Sequence, residues 1–334
     1  MQLPDKIIIS RTDNLGDVIL TLPLAAYLKS IKPSIKIYFI GKTYTEAIIR
    51  ASPFVDEFLD REQIIANPTL LLATQATTII FAFPDHILAK IAYKHIDIRI
   101  GTSHRWFHWL YCNQMVHFSR KNSDLHEAQL NCKLLKIFDL AIPSLETLKN
   151  LSVLQVNPEK YGYLKKYFQA QHQHFIIHPK SKGSAREWKI ENYLEIAKNL
   201  HSLNVLVFVT GIAKEGELIR EQCPEIFAQP NVIDLTGKLQ LDELIALISF
   251  ADGLLACSTG TLHIAAAVGV YALGLFPPMR PIHPQRWQAL GKNTEYLTAK
   301  STCSACKNTL PCYCMQEITA EQVFAKIQQQ LLQK

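Results

Sequence analysis

Two carboxylates lie in the loop Arg11-Thr-Asp-Asn-Leu-Gly-Asp17, which joins the first predicted strand to the first predicted helix. In a doubly wound α/β protein, the loop after the first strand faces the crevice in which ligands bind. Asp13 is placed there to act as a general base. Asp17 falls in the first turn of the helix, where the helix dipole favours a carboxylate. In the alternative interpretation, Asp13 only caps the helix.

A second loop, residues 178–188, combines small residues, cations and a tryptophan in the order His-Pro-Lys-Ser-Lys-Gly-Ser-Ala-Arg-Glu-Trp. Gly183 and Ser184 allow the backbone to approach a ligand closely. The positive charges are those of Lys180, Lys182 and Arg186. Backbone N–H groups, hydroxyls and a bidentate cation are what a diphosphate needs. The alternative is a solvated basic loop.

A third loop leads from a predicted strand into an alanine-rich helix through the turn Cys257-Ser-Thr-Gly-Thr-Leu-His263. The N–H groups at the start of such a helix have no partner within the helix, and they can hold a second phosphate. A plain helix that is capped by Ser258 or Thr259 is the alternative.

Short β-branched runs alternate with amphipathic segments along the chain and position these loops. The predicted strands are Lys6–Ser10, Lys36–Gly41, Thr77–Phe83, Phe175–His178, Val205–Val209, Asn231–Asp234, Gly253–Ala256 and Tyr271–Phe276. The predicted helices are Gly16–Ile31, Leu125–Leu140, Ile190–Leu203, Lys214–Cys223, Leu241–Ser249, Thr261–Val268 and Thr319–Leu332. Pro23 either stands near the start of the first of these helices or kinks it. This order predicts parallel sheets with helices on both faces. Because it weakens between residues 141 and 173, we predict two Rossmann-like domains that face each other across a ligand-binding cleft.

Several common α/β chemistries lose their main support because their motifs are absent. The chain has no G-x-G-x-x-G after its first strand, no P-loop, no G-x-S-x-G elbow and no H-E-x-x-H helix, which argues against a dehydrogenase, an ATPase, a hydrolase and a zincin. The 35 Lys and Arg against 29 Asp and Glu give a net charge of +6, which favours an anionic partner. With no apolar run long enough to span a membrane and no signal-peptide pattern, we expect a cytoplasmic protein with reduced cysteines.

The run from Arg11 to Pro23 closely resembles the opening of glycosyltransferase family 9, the ADP-heptose:lipopolysaccharide heptosyltransferases, whose pattern is R-x-D-x-x-G-D followed by T-L-P. The resemblance implies a GT-B fold and implies that Asp13 is the catalytic base. It also implies an acceptor-binding domain over residues 1–155 and a domain that binds the nucleotide-sugar over residues 156–318. The C-terminal helix would then occupy residues 319–334.

The loop at residues 178–188 looks like the family element H-P-G-S-x-x-x-x-[KR]-x-W. The resemblance implies that Ser181 and Arg186 hold the phosphates of the donor. Lys180 departs from the pattern because it stands where the family has glycine more often. We expect Trp188 to be a packing residue.

The turn before the alanine-rich helix resembles the family element D-T-G-x-x-H. Thr259, Gly260 and His263 match it, which implies that they lie beside the donor; for His263, a structural role at the helix end is the alternative. Ser258 stands where the family has an aspartate that contacts the donor sugar. This departure leaves the phosphate site intact and leaves the identity of the sugar open.

Two smaller matches complete the predicted donor site. Glu215 follows Gly211 as in the family's G-x-x-x-E, which implies a contact with the ribose hydroxyls; a surface salt bridge is the alternative. The backbone around Leu239 would contact the edge of the adenine.

Residues 86–126 hold six Lys and Arg against two acidic residues, and they are rich in histidine and aromatic residues. Such a stretch can bind nucleic acid, anionic lipid or a phosphorylated sugar, or it can be a solvated face. In the family, this part of the first domain faces the acceptor, an acidic glycolipid. The implied acceptor contacts are Arg99, Arg105, Arg120 and Lys121. Nucleic acid is the weaker alternative because the chain has no recognised binding module.

Four cysteines, Cys303, Cys306, Cys312 and Cys314, lie close together before the last predicted helix. They fit a zinc site in principle, but their spacing is tighter than that of the usual pair of zinc knuckles. Reduced thiols or one labile disulfide are favoured. We expect the other four cysteines, Cys112, Cys132, Cys223 and Cys257, to be buried packing residues.

These patterns together predict an inverting glycosyltransferase that moves a heptose or a related sugar from an ADP-sugar to an anionic glycolipid, the lipopolysaccharide core or lipid A. No D-x-D cluster accompanies the donor loops, so we expect catalysis without a metal or another cofactor, with electrostatic stabilisation of the departing diphosphate. The enzyme would contact the cytoplasmic leaflet of the inner membrane peripherally and would not bind nucleic acid. The alternatives are a non-catalytic protein that binds sugar nucleotides and, more weakly, a nucleic-acid binder that uses residues 86–126.

Overall fold

The computed structural model of the chain describes residues 1–120, 123–300 and 313–333. The chain divides into two compact units, Met1–Gln155 and Val156–Lys334. Each unit contains a six-stranded sheet, and every strand pair in both sheets is parallel. The prediction of parallel α/β sheets is therefore confirmed in each unit.

The sheet of the first unit has the strand order β3-β2-β1-β4-β5-β6. Its strands are β1 (Lys6–Ser10), β2 (Lys36–Gly41), β3 (Glu57–Asp60), β4 (Thr78–Phe81), β5 (Ile98–Thr102) and β6 (Gln114–Val116). The apolar residues of β1 are fully buried, as is typical of a central parallel strand that is covered on both faces. Within β1, Ile8 pairs with Tyr38 of β2 and with Ile79 of β4. The loop after β1 therefore leaves the middle of the carboxyl edge of this sheet.

Two helices predicted in the first unit are each divided in the structure. The helices are α1 (Leu15–Ile19), α2 (Leu22–Ile31), α3 (Glu46–Arg50), α4 (Arg61–Ala66), α5 (Thr69–Ala73), α6 (His86–His95), α7 (Trp106–Tyr111), α8 (Glu127–Cys132) and α9 (Leu145–Lys149). A single helix over Gly16–Ile31 is wrong, because Pro23 lacks an N–H group and instead stands in the first turn of α2. A single helix over Leu125–Leu140 is also wrong, since α8 continues as a 3-10 segment, Lys133–Phe138.

The sheet of the second unit has the strand order β12-β11-β10-β7-β8-β9. Its strands are β7 (Gln173–His178), β8 (Val205–Val209), β9 (Val232–Asp234), β10 (Gly253–Cys257), β11 (Tyr271–Phe276) and β12 (Thr294–Thr298). The predicted strands of this unit are confirmed with small shifts of their ends. Sequence reasoning did not find β12, an edge strand whose residues are half-buried or exposed and therefore form no continuous apolar run.

The helices of the second unit follow the predicted spans closely, except for the short helix Pro284–Trp287, which was not predicted. They are α10 (Ile190–Ser202), α11 (Ala213–Gln222), α12 (Leu241–Phe250), α13 (Gly260–Ala267), α14 (Pro284–Trp287) and α15 (Ala320–Leu331). The C-terminal helix α15 packs against α10, and its Val323 and Ile327 belong to the core of this unit. Within residues 1–120, 123–300 and 313–333, no helix is long and apolar enough to cross a membrane.

The four cysteines that were predicted to be packing residues, Cys112, Cys132, Cys223 and Cys257, are all buried, and none of them is in a disulfide. This prediction is confirmed. Burial raises the pKa of the Cys112 thiol to about 12 and raises the pKa of the Cys132 thiol further. Both thiols are therefore protonated and unreactive at neutral pH.

Candidate active site

The loop after β1 places Arg11 and Asp13 at the carboxyl edge of the first sheet. The N–H of Arg11 donates to the carbonyl of Ile40 at 3.0 Å, so the loop starts as a continuation of the sheet. Helix α1 begins after Asn14, whose side chain makes no capping bond, and the carboxylate of Asp13 pairs with Arg11 instead. The alternative in which Asp13 caps the helix is therefore wrong. Asp17 lies in the first turn of α1, as predicted.

The guanidinium of Arg11 is buried and serves three carboxylates at once. Its Nε donates to Oδ1 of Asp13 at 2.7 Å, and its Nη2 bonds to Asp17. Its Nη1 lies 3.2 Å from both Oε1 of Glu127 and Oδ1 of Asn131. Burial alone would lower the pKa of Arg11, but the three carboxylates raise it above its usual range. Arg11 is therefore a permanent cation that fixes Asp13 in place.

Asp13 combines burial with a remaining path to solvent, since 15% of its side chain is exposed. Burial raises the pKa of Asp13 to about 6, with Asp17 adding to the rise and Arg11 opposing it. The hydroxyl of Tyr44 donates to the backbone carbonyl of Asp13 and holds the loop from the other side. A carboxylate that titrates just below neutral pH is ionised at pH 7 and is more basic than an exposed aspartate.

A second arginine reaches the same network from the segment before α8. Arg120 bonds to Glu127 through Nη1 and donates from Nη2 to Oδ1 of Asn131 at 3.0 Å. Arg11 and Arg120 thus share a fully buried glutamate and an asparagine. The guanidiniums of Arg11 and Arg120 therefore share one network with the carboxylates of Asp13, Asp17 and Glu127.

Sequence reasoning singled out Arg120 only as an acceptor contact and did not find Glu127 or Asn131. Both lie in α8, which starts with a capping box formed by His126 and Gln129. The amide nitrogen of Asn131 donates at 3.0 Å to the carbonyl of Leu20 and to the hydroxyl of Thr21, which ties α8 to the break between α1 and α2. The one available signal was a pair of polar residues on the buried side of a helix.

In the second unit, the loop after β7 is held closed by its own glutamate. The N–H and the hydroxyl of Ser181 both donate to Oε1 of Glu187 at 2.9 Å. The ammonium of Lys180 lies 3.3 Å from Oε2 of Glu187 and 2.6 Å from Oε1 of Gln222. Lys180 is therefore a buried, paired cation, not a solvated one. A carboxylate of the chain itself therefore occupies the hydrogen-bond donors of this loop.

The rest of this loop supplies charge and a fixed end. Lys182 and Gly183 turn the backbone in the left-handed region, with φ of 51° and 79°, and Arg186 is half-buried directly before Glu187. Trp188 is buried, and its indole N–H donates to the carbonyl of Ile318 at 2.8 Å. Trp188 is therefore a packing residue, as predicted.

The turn after β10 carries Ser258 and Thr259 into α13. Thr259 occupies the N-cap position, but its hydroxyl pairs with the hydroxyl of Thr261 at 2.8 Å and makes no capping bond. Thr259 is therefore the N-cap residue by position, as in the alternative, but its side chain does not cap the helix. The first N–H groups of α13, from Gly260 onward, stay available to a ligand. His263 is buried within α13.

Glu215 and Leu239 lie in the loops after β8 and β9. Glu215 is buried in the first turn of α11, and its Oε2 accepts from the N–H of Ile212 at 2.8 Å. The alternative of a surface salt bridge is therefore wrong. Gly237, with φ of 71°, donates to the carbonyl of Gly211 at 2.8 Å, which brings the two loops together. Leu239 is half-buried two residues further on.

The strand order explains why the predicted donor residues lie along one edge of the sheet. Strands β10, β7, β8 and β9 are consecutive neighbours, and all run in the same direction. Their carboxyl ends therefore form one edge, which carries the four loops in turn. The residues brought to this edge are Ser181, Arg186, Glu215, Leu239, Ser258, Thr259 and Gly260.

The basic residues between positions 86 and 126 have different environments. Arg99 is held by backbone carbonyls of the first unit, because its guanidinium donates to the carbonyls of Tyr111 at 2.6 Å and Asp97 at 2.9 Å. Arg105 is exposed at the start of α7. Lys121 lies outside the described residues.

The predicted cysteine cluster falls mostly outside the described residues, which include Cys314 but not Cys303, Cys306 or Cys312. Cys314 is buried in the core of the second unit. In the part of the chain that the structure describes, no group of three or more His, Cys, Asp or Glu side chains could hold a metal ion.

Comparisons with known proteins agree with this arrangement. The sequence profile of glycosyltransferase family 9 (heptosyltransferase) matches residues 75–313. A putative glycosyltransferase of Haemophilus influenzae is 24% identical over 313 residues, which cover 86% of this chain and 86% of that protein.

Two solved structures share the fold over nearly the whole chain. The glycosyl transferase family 9 protein of Veillonella parvula has a TM-score of 0.79 at 19% identity and covers 98% of this chain and 97% of its own. The E. coli ADP-heptose lipopolysaccharide heptosyltransferase II has a TM-score of 0.77 at 19% identity and covers 98% and 99%. The prediction of the GT-B class of α/β folds is confirmed, and so is that of a glycosyltransferase. This chain belongs to glycosyltransferase family 9, the heptosyltransferase family.

Proposed function

We propose that this chain transfers a heptose or a related sugar from an ADP-sugar to the core or lipid A part of a lipopolysaccharide, with inversion at the anomeric carbon. The observation that carries the proposal is the carboxylate of Asp13, which Arg11 holds at 2.7 Å on the carboxyl edge of the first sheet. The donor class is supported by the similarity to the E. coli enzyme that is described as an ADP-heptose heptosyltransferase.

In this reaction, Asp13 takes the proton of the acceptor hydroxyl while the oxygen attacks the anomeric carbon. The bond between that carbon and the diphosphate oxygen breaks in the same step, and ADP leaves with the electron pair. A single displacement of this kind inverts the configuration at the anomeric carbon. Arg11 keeps Asp13 oriented, and Asp17 helps to keep its pKa close to neutral.

The edge of the second sheet binds the donor in this proposal. Arg186 and the first N–H groups of α13 hold the diphosphate and stabilise its charge as it leaves. Glu215 contacts the ribose, and the backbone of Leu239 contacts the adenine. Ser258 contacts the sugar, and His263 supports the turn from within α13. The division into an acceptor-binding domain over residues 1–155 and a donor-binding domain over 156–318 follows the same assignment.

Ser181 needs a rearrangement to take part. Its N–H and its hydroxyl both donate to Glu187, so a phosphate oxygen has to replace this carboxylate. The N–H and hydroxyl of Ser181 then bind a diphosphate with two negative charges in place of the single charge of Glu187. The ammonium of Lys180 adds positive charge beside them. Donor binding and release of Glu187 are therefore coupled in this proposal.

The reaction is proposed to need no metal, because Arg186 and helix N–H groups supply the positive potential at the leaving group. Transfer that is unchanged after dialysis against a chelator supports this part, and recovery of lost activity by one added divalent ion contradicts it. The acceptor is a lipid-anchored anionic glycolipid, so the enzyme is proposed to act at the cytoplasmic leaflet of the inner membrane.

The test is incubation with ADP-heptose and a panel of truncated lipopolysaccharide acceptors, followed by mass spectrometry. The proposal expects one acceptor to gain the mass of one heptose. A protein that binds ADP-heptose calorimetrically and transfers to no acceptor would instead be the non-catalytic sugar-nucleotide binder. Binding of RNA or DNA that persists as salt is raised would favour a nucleic-acid binder.

A further inference from the structure

The surface formed by α6 and α7 exposes an unusual number of large apolar side chains. Five of the fifteen large hydrophobic side chains that are exposed among the described residues lie between positions 87 and 110. Their exposed fractions are 46% for Ile87, 55% for Tyr93, 67% for Trp106, 60% for Trp109 and 58% for Leu110. A patch of this kind marks an interaction site more often than chance exposure does.

Ring contacts join the two helices into one surface. The ring of His86 in α6 lies 5.5 Å from that of Trp106 and 5.1 Å from that of Phe107 in α7. At the other end of α6, Tyr93 packs edge-on against Tyr111 at 5.9 Å. The indole N–H of Trp109 donates to the carbonyl of Ser103 at 2.9 Å, which holds this tryptophan in its exposed position. The α6–α7 face is therefore a fixed surface, not a set of loose side chains.

Cations border the apolar residues of the α6–α7 face. Lys90 and Lys94 lie on the exposed side of α6, and Arg105 is exposed directly before α7. Between residues 86 and 111, four Lys and Arg stand against one acidic residue, Asp97. Exposed tryptophans beside lysine and arginine are the combination that binds the headgroup region of an anionic bilayer.

The α6–α7 face starts at the same sheet edge as Asp13. Asp85, which directly precedes α6, accepts from the N–H of Leu88 at 3.2 Å and from the hydroxyl of Thr12 at 3.1 Å. The N-terminus of α6 is thus bonded to the residue next to Asp13. Helix α7 follows β5 and also begins at the carboxyl edge of the sheet.

We propose that the α6–α7 face docks this protein on a bilayer that contains anionic phospholipid, with Trp106 and Trp109 among the headgroups and Lys90, Lys94 and Arg105 facing their phosphates. The docking would bring the edge that carries Asp13 to the membrane surface, where the sugars of a lipid-anchored acceptor lie. Only this last point rests on the proposed function, because the fit to an anionic surface follows from the face itself.

The experiment is co-sedimentation of the full chain with vesicles of phosphatidylcholine alone and of phosphatidylcholine with phosphatidylglycerol. The wild type should bind the anionic vesicles and should show a blue shift of its tryptophan emission. Trp106→Ser with Trp109→Ser should lower the vesicle affinity about ten-fold or more. Lys90→Gln and Lys94→Gln should each lower it about five-fold, and only for the anionic vesicles.

A matched pair of leucines provides the control. Leu110→Ser removes an apolar contact of the α6–α7 face and should weaken vesicle binding. Leu332→Ser changes a leucine that is 74% exposed in the second unit and should leave vesicle binding unchanged. A circular dichroism spectrum of each variant that matches the wild type shows that it has folded.

Several results would overturn the docking proposal. The proposal fails if the wild type does not bind anionic vesicles, or if the tryptophan double variant binds them as tightly as the wild type. It also fails if the double variant loses only self-association or only RNA binding. Transfer to a delipidated, water-soluble acceptor separates this inference from the proposed function. If the double variant keeps that transfer and loses vesicle binding, both ideas stand. If no acceptor is used but anionic vesicles bind through the α6–α7 face, only the proposed function fails.

Discussion

Replacing Asp13 by asparagine should make the folded first unit more stable at neutral pH. In the folded chain, burial raises the pKa of Asp13 from 3.8 to about 6, with Asp17 adding to the rise and Arg11 opposing it. The ionised carboxylate is therefore less stable in the folded chain than in the unfolded chain. Asparagine has nearly the same shape and no charge, so Asp13→Asn removes this penalty.

The size of the effect follows from the pKa. A rise from 3.8 to about 6 corresponds to about 3 kcal/mol at neutral pH, since each pKa unit is worth about 1.4 kcal/mol. The folded chain binds more protons than the unfolded chain between about pH 4 and 6, so wild-type stability falls as the pH rises through that window. Because the amide is an imperfect partner for Arg11, we expect Asp13→Asn to gain about 1–3 kcal/mol at pH 7.

Hydrogen exchange of the β1 amides, read by mass spectrometry, measures the opening free energy of the first unit separately from the second. Wild type and Asp13→Asn should differ at about pH 7, and the difference should shrink through pH 4 and vanish near pH 3, where Asp13 is protonated in both the folded and the unfolded chain. Asp97→Asn, a matched change at an exposed aspartate of the same unit, should show no gain at either pH.

Two results would refute this reasoning. If Asp13→Asn destabilises the first unit at neutral pH, the ion pair with Arg11 outweighs the burial of the carboxylate, and the pKa of Asp13 is not raised. If the variant is more stable by the same amount at both pH values, the gain does not come from ionisation.

Substitutions at three further positions test the donor loops. Arg186→Ala should weaken ADP binding about ten- to hundred-fold, and Arg186→Lys should recover only part of it, because the bidentate guanidinium is lost; unchanged ADP affinity by calorimetry in Arg186→Ala would exclude a phosphate contact. Glu187→Gln should tighten ADP binding several-fold, since the ligand then displaces a neutral amide from Ser181; weaker binding would mean that Glu187 only holds the loop in shape. Ser258→Asp should change the ranking of ADP-heptose against other ADP-sugars in competition assays and should leave ADP affinity nearly unchanged; an identical ranking would exclude Ser258 from the sugar site.

Much of the fold was predictable because its central strands are continuous apolar runs. Every residue in runs such as Ile7–Ile9 and Val205–Val209 is apolar and buried, which is typical of parallel strands that are covered on both sides. Strands without such a run were missed: the edge strands β3, β6 and β12, and the inner strand β5, in which only Ile100 and Gly101 are buried. The edge strand β9 was predicted. The break between α1 and α2 was not predicted either, because the sequence left open whether Pro23 starts a helix or bends one.

The candidate site was predictable where a loop follows a strand directly, as with Asp13 and Ser181. Partners that come from distant parts of the chain were not. Glu127 reaches Arg11 across 116 positions of sequence, and nothing local marks it as the partner of a buried cation. Glu187 was read only as a spacer between Arg186 and Trp188, although it occupies the donors of Ser181. The sequence shows which polar groups a loop contains, but only the folded structure shows which of them already have a hydrogen-bond partner.

The most direct test of the central claim compares wild type and Asp13→Asn for transfer from ADP-heptose to the acceptor identified by mass spectrometry. The account predicts that the variant binds ADP with nearly wild-type affinity and transfers roughly 10²–10⁴-fold more slowly, because the general base alone is lost. Near-normal turnover by Asp13→Asn would contradict it, and Asp13 would then be a structural partner of Arg11 and not the base.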